Sequence, residues 1–397
     1  MCASKSVRRL RTLRTKVAAA TAVLSMFAAG CAADAADKFV GTAESPAELE
    51  RRALELWQGN SEQAAAAAKL FEIGVAQARA VSQWALASQY REGHGVRQDM
   101  AKSFALMRSA AAQGFADAQT VLGWMLLTGT GTARDAPAAA QWLGSAARQG
   151  SPRAFGMLGD MYLRGEGVAQ DFKIGHGLLR RAAELGDDVG ALRFGSMSLF
   201  GPDEYRSVAL GVFFLERAAD LKNPEAPFVL GQALLFGKAV PRDFVRAAHW
   251  MQRAADVKHH YAMLWLSELY AKGLGVSKDS QRASQLLEAG LAMATPRMKN
   301  DFAWQLSVAS DAVLRDGARA LQIMQTMLQE PSAKRPDYID TLAAAYAEVG
   351  DFESAVAAQQ QALTAQAKLP PNAEQQAGMQ RRLENYRSRK PFREELP

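Results

Sequence analysis

Five histidines, His94, His176, His249, His259 and His260, are the side chains in this 397-residue sequence best suited to acid–base or metal chemistry. None sits in a convincing constellation. His94 occupies a loop position filled at equivalent places by Thr130, Glu166, Lys238 and Leu274, so it reads as a solvent-facing residue. His259 and His260 are adjacent, and neighbours on a helix point in different directions, which makes a poor chelate. No His-Glu-x-x-His occurs. Gly195-Ser196-Met197-Ser198-Leu199 lacks the last glycine of a nucleophile elbow and falls inside a helical pattern. Gly-x-Gly recurs, but after helices and never after a strand, which excludes dinucleotide binding. The expectation is therefore no catalytic residues, no metal ligands and no cofactor.

Five aspartates are regularly placed: Asp99, Asp135, Asp171, Asp243 and Asp279. Packed helices stand roughly 10 Å apart, too far for such a ladder to share an ion. A helix-capping role explains each of them, because a carboxylate at the N-cap accepts from free N–H groups of the first turn.

What positions these residues is a repeat. Gly93-His94-Gly95-Val96-Arg97-Gln98-Asp99 returns as Gly165 to Asp171 and Gly273 to Asp279, with looser copies at Gly129 and Gly237. The leading glycines, 93, 129, 165, 201, 237 and 273, are spaced by 36 residues. A fixed period of this size marks a helical repeat array. Each unit is expected to hold two helices, the first ending at the leading glycine in a left-handed C-cap. In the second unit the first helix is expected over 117–128, with Asp135 and Pro137 opening its partner. Leu86, Leu122, Leu158, Phe194, Leu230 and Leu266 form one packing column, and Ala87, Gly123, Gly159, Gly195, Gly231 and Ser267 a small-residue column beside it. The fourth copy departs from the pattern: Gly201-Pro202-Asp203-Glu204-Tyr205-Arg206-Ser207 loses the second glycine and the valine, and Ser207 takes the capping position.

The unit resembles the Sel1-like repeat, a relative of the tetratricopeptide repeat. Ala154, Leu158-Gly159, Tyr162, Gly165-x-Gly167-Val168, Asp171 and Ala182-Ala183 carry the likeness. The resemblance implies an all-α, right-handed solenoid of stacked helix pairs, acting as a non-enzymatic protein-interaction scaffold. Some secreted members bind penicillin-like ligands, but those are cysteine-rich, and this chain has only Cys2 and Cys31; that activity is not carried over.

The chain divides accordingly. Residues 1–31 read as a signal peptide, with six basic residues from Lys5 to Lys16, no acid, and a 14-residue apolar run from Val17 to Gly30 that is too short to span a bilayer. Ala28-Ala29-Gly30-Cys31 resembles a bacterial lipobox, with Ala28 where leucine is usual, and so implies lipidation at Cys31. Ala32 after it implies outer-membrane sorting; ordinary cleavage after Ala33-Asp34-Ala35 would instead give a soluble periplasmic protein. Residues 32–44 read as a tether, 45–80 as N-terminal capping helices, 81–295 as six repeats, 296–371 as tetratricopeptide-like helix pairs, and 372–397 as a C-terminal helix and a fraying charged tail. Removing the leader's six basic residues from the total of 47 leaves 41 bases against 41 acids. A neutral body carries no electrostatic footprint for nucleic acid.

The expected partner is thus a protein in the periplasm or outer membrane, with membrane contact only through an anchor at Cys31. First helices of such arrays line the concave side. One column there, Ser88, Trp124, Asp160, Ser196, Gln232 and Glu268, varies while its neighbours do not, and is the candidate partner-binding set. A second column, Arg91, Leu127, Leu163, Leu199, Leu235 and Ala271, with Phe200 and Phe236 beside it, reads either as inter-repeat core or as an apolar groove.

Overall fold

A computed structural model of the protein describes residues 45–330, 334–370 and 372–394. The leader, Cys31 and the tether lie outside the described residues. Nineteen α-helices follow one another among them, with two single turns of 3₁₀-helix and no named strand.

Two capping helices come first, α1 (Pro46–Trp57) and α2 (Ser61–Ala76). Ser45 and Glu48 form a reciprocal capping box at the start of α1, and Asn60 and Gln63 do the same for α2. The six repeats then supply α3 (Ala80–Glu92) with α4 (Met100–Ala112), α5 (Ala116–Thr128) with α6 (Ala136–Arg148), and α7 (Pro152–Arg164) with α8 (Phe172–Leu185). They continue as α9 (Asp188–Phe200) with α10 (Val208–Asp220), α11 (Ala226–Phe236) with α12 (Phe244–Asp256), and α13 (His260–Lys272) with α14 (Ser280–Met293).

The repeat motif makes the turn between paired helices. Leading glycines 93, 129, 165, 237 and 273 all lie near φ +70° in the left-handed C-cap conformation. The aspartates are caps: Asp99, Asp135, Asp171, Asp243 and Asp279 accept from the N–H three residues on at 2.8–3.0 Å. The N–H of each cap in turn donates to a carbonyl nine residues earlier, as Asp171 does to Tyr162 at 2.9 Å. One orphan N–H of the second helix and one orphan carbonyl of the first are thereby satisfied in each unit. At the fourth copy Ser207 preserves both bonds, but Gly201 is extended (φ −75°, ψ −175°) and Asp203–Tyr205 forms a 3₁₀ turn.

The small-residue column sets helix approach within each pair. A Cβ on Gly123 would fall 2.6 Å from Leu143, and one on Gly195 2.8 Å from Leu215. Of the second column, Leu199 and Leu235 are buried and belong to the core, while Phe200 is about half exposed.

Beyond the period come α15 (Pro296–Val308), α16 (Gly317–Met327), α17 (Pro336–Glu348), α18 (Phe352–Gln366) and α19 (Ala373–Arg387). They are not a separate body. One apolar cluster runs from Leu179 through Trp265, Phe302, Leu306 and Met324 to Ala345. First helices keep stacking across the junction, with the Trp265 and Phe302 rings edge to face at 5.3 Å. The second helix of the sixth repeat parts from the helix after it: α14 and α15 scarcely touch, unlike every other successive pair of α-helices. A cleft of about 1040 Å³ opens between α14 and α16, with Leu287, Leu291, Ile323 and Met327 on its walls.

The tail corrects one expectation. Its described part, up to Glu394, does not fray but folds back along α15. Glu394 N–H donates to the Val308 carbonyl at 2.8 Å, and Ser310 N–H to the Glu394 carbonyl at 2.9 Å. Phe392 packs against Trp304, and Arg393 meets Glu348 at 2.6 Å. Six residues thus find two backbone bonds, a ring contact and an ion pair, none of which composition alone foretells.

Candidate functional site

The structure separates the six residues of the variable column. Ser88 is buried, and its hydroxyl donates to the Trp84 carbonyl at 2.9 Å within its own helix. Glu268 is buried too, between Lys272 Nζ at 3.1 Å and Arg319 Nε at 2.9 Å. Burial pushes its carboxyl above the usual range, and the two cations oppose that rise. These two ends of the column are interior groups with partners of their own.

Between them, Trp124 is exposed, while Asp160, Ser196 and Gln232 are half-buried. Asp160 on α7 lies 3.5 Å from Arg193 on α9; burial raises its carboxyl, with Arg193 and Arg164 pulling it back. Gln232 opens onto cavities. It lines two, the smaller being a pocket of about 230 Å³ beside Phe200 and Phe236.

The larger, of about 390 Å³, is built by three successive first helices and the tail. Phe228 and Gln232, one turn apart, come from α11. Tyr261 and Trp265 come from α13, Asp301, Trp304 and Gln305 from α15, and Glu394 closes the edge. The i, i+4 spacing on α11 and α13 puts each pair on one helix face. His259 fixes the wall: its Nδ1 accepts from the Ala262 N–H at 3.2 Å as the cap of α13, its Nε2 lies 3.2 Å from Glu225, and its ring stacks on Phe228 at 4.4 Å. The His259 and His260 rings also stack, 5.3 Å apart, because His259 stands outside the helix as its cap rather than within it.

Polar groups converge on these rings. Tyr261 donates to Asp301 at 3.4 Å, and burial together with Asp301 pushes the phenol up to about 12. The Trp304 indole donates to Glu394 at 3.0 Å. Behind it the Arg382 guanidinium lies 5.2 Å from the ring centre while bound through two nitrogens to Asp340 at 2.9 and 2.7 Å. Gln305 Oε1 is buried without a hydrogen-bond partner among the described residues. Among the same residues no group of three or more His, Cys, Asp and Glu is placed to hold a metal. The arrangement offers π faces, amides and two carboxylates, a surface suited to recognition.

Sequence reasoning reached Gln232 through its column and missed Tyr261, Asp301, Trp304 and Glu394. The last three lie beyond the six periodic units, where column comparison has no partner to compare.

Comparison with known proteins settles the family. Six stretches match the Sel1 repeat model: residues 80–115, 116–151, 157–187, 190–223, 224–259 and 260–291. The chain belongs to the Sel1 repeat family. Among solved structures, a Sel1 repeat protein from Oxalobacter formigenes is 27% identical, with a TM-score of 0.56 over 62% of this chain and 100% of its own. The protein c5321, a protective antigen of uropathogenic Escherichia coli strains displaying an SLR fold, is 21% identical, with a TM-score of 0.61 over 81% of this chain and 69% of its own. No curated protein matches the chain in sequence. Sel1 repeat proteins generally mediate protein–protein interaction, and the α-solenoid seen here is the fold that does so.

Proposed function

We propose that this Sel1 repeat protein is a non-enzymatic scaffold of the bacterial cell envelope that holds a protein partner on its first-helix face, in support of an export or envelope assembly. The observation that carries the reading is the pocket of Phe228, Gln232, Tyr261, Asp301, Trp304 and Glu394, built across four separate segments. Half-buried aromatics beside polar groups are what partner-binding hot spots require. The glycine and aspartate ladder is consumed by turns and caps, which leaves recognition to this face. Export and anchoring rest on the leader's basic and apolar run and on Cys31, whose acylation would tether the solenoid to the outer membrane. A soluble periplasmic protein that restrains a sensor would use the same face.

Glycan binding is a second reading, favoured by Tyr261 and Trp304 lying beside the amides of Gln232 and Gln305. Co-purification from solubilised envelopes tests the first reading. Wild-type protein should retain a discrete partner that Gln232→Ala releases with no change in melting temperature, and that Trp304→Ala, whose ring also packs on Phe392, releases when capture is scored per folded molecule. Retention of purified peptidoglycan fragments, unaffected by removing envelope proteins, would instead support the second. Acyl labelling lost in Cys31→Ser would establish the anchor; an unlabelled wild-type protein would overturn it.

A further inference from the structure

We propose that the first-helix pocket recognises a cationic side chain, an arginine or lysine of the partner. The proposal rests on the scaffold reading above and specifies the chemistry it recognises.

The pocket's polar groups are weighted toward acceptance. Asp301 and Glu394 each bring a carboxylate to the lining, Gln305 brings a buried carbonyl oxygen with no partner, and Gln232 a further amide. Two of the donors are already directed, Tyr261 toward Asp301 and the Trp304 indole toward Glu394, which leaves the amide NH2 groups of Gln232 and Gln305 against two carboxylates and two amide oxygens. Each of these bonds leaves lone pairs on its carboxylate, since an ionised carboxyl accepts about four hydrogen bonds. An incoming anion or neutral acceptor would find few free donors and two negative charges. A guanidinium or ammonium would find acceptors on several sides.

The aromatic walls favour the same ligand. Phe228, Tyr261 and Trp304 present rings to the cavity, and aromatic faces attract cations through their quadrupoles. The protein already makes this contact once nearby, where Arg382 stacks behind Trp304. That guanidinium is committed to Asp340 and is largely buried, so it does not satisfy the pocket. Arg393 beside Glu394 is committed to Glu348 at 2.6 Å, and Arg297 is a further nearby cation. It approaches Asp301 only to 3.9 Å, and its side chain is 86% exposed, the weak geometry of a surface pair that a better-placed cation displaces. At about 390 Å³ and open to solvent, the pocket has room for a long side chain together with the backbone that carries it.

The test uses the full chain and four capped pentapeptides, Ala-Ala-Xaa-Ala-Ala, with arginine, lysine, citrulline or norleucine at Xaa. Binding is followed on the ¹⁵N-labelled indole resonance of Trp304, picked out from the seven tryptophans by its loss in Trp304→Phe. Arginine and lysine peptides should shift that resonance and bind at least about tenfold more tightly than citrulline or norleucine. Asp301→Asn with Glu394→Gln should erase the difference, and added salt should weaken only the cationic peptides. Equal binding of arginine and citrulline, or no shift with any peptide, overturns the proposal. If the paired variant fails to fold, the salt series on wild-type protein decides. The scaffold reading is judged separately by photo-crosslinking at Phe228. A partner whose crosslinked segment lacks Arg and Lys sinks the cation proposal and leaves the scaffold standing, whereas no partner at this face sinks the scaffold.

Discussion

Glu268 on α13 and Arg319 on α16 meet at 2.9 Å across the point where the 36-residue period ends. Lys272, one turn along α13, completes the cluster at 3.1 Å, and its own amine also donates to the Arg315 carbonyl at 3.0 Å. The Glu268 side chain is 3% exposed, so this is an interior ion pair that clamps the sixth repeat to the helices beyond it. Without Glu268, Arg319 keeps Asp316 at 3.5 Å and Lys272 keeps the Arg315 carbonyl at 3.0 Å, so neither cation is stranded. Glu268→Ala should lower unfolding free energy by about 1–2 kcal/mol, read from the denaturant midpoint. It should leave partner capture per folded molecule unchanged, although Glu268 belongs to the variable column.

The two glycines of the repeat motif should differ sharply in tolerance. Gly273 has φ +71°, and a Cβ there would meet Lys278 no closer than 3.3 Å, whereas a Cβ on Gly275 (φ +70°) would fall 2.1 Å from the Phe244 carbonyl oxygen of the preceding repeat. Gly273→Ala should cost about 1 kcal/mol, the penalty of a left-handed residue. Gly275→Ala adds a backbone collision and should cost roughly 3 kcal/mol in all. Equal losses by chemical denaturation would show that the second glycine is not there for close approach.

Stability of the N-terminal cap should depend on acid. Burial pushes the Glu50 carboxyl up, but hydrogen bonds from Arg79 and from Ser82, the latter at 2.7 Å, outweigh it and hold the group below its usual range. A depressed carboxylate adds stability above its unfolded value, near 4.5, and that stability is lost as pH falls through the folded value. The gap in melting temperature between wild type and Glu50→Gln should therefore be full at neutral pH and close below 4.5. A gap that persists into acid would mean the side chain acts by packing alone.

The sequence was most legible where period and local chemistry agree. The capping helices expected over 45–80 open at Pro46 behind a Ser45 cap, and the aspartate caps stand where the motif puts them. Such features depend on residues a few positions apart. Burial of Ser88 and Glu268 was not legible, because what covers each comes from elsewhere in the fold, Arg319 in the second case. Nor was the main pocket, whose acidic edge depends on a tail that returns 90 residues from Trp304 to Glu394. The C-terminal helix expected from 372 onward begins there, with Asn372 accepting from the Gln375 N–H as its cap.

The central claim is that recognition occurs on the first-helix face between α11 and α15. Its most direct test is site-specific photo-crosslinking in intact cells. A photoreactive residue would replace Phe228 or Trp304 on that face, and Phe213 or Val245, both more than half exposed, at the start or outer side of the second helices. The account predicts one discrete protein adduct at Phe228 and Trp304 and none at Phe213 and Val245. An adduct confined to Phe213 and Val245 would contradict it and move the binding surface to the second helices.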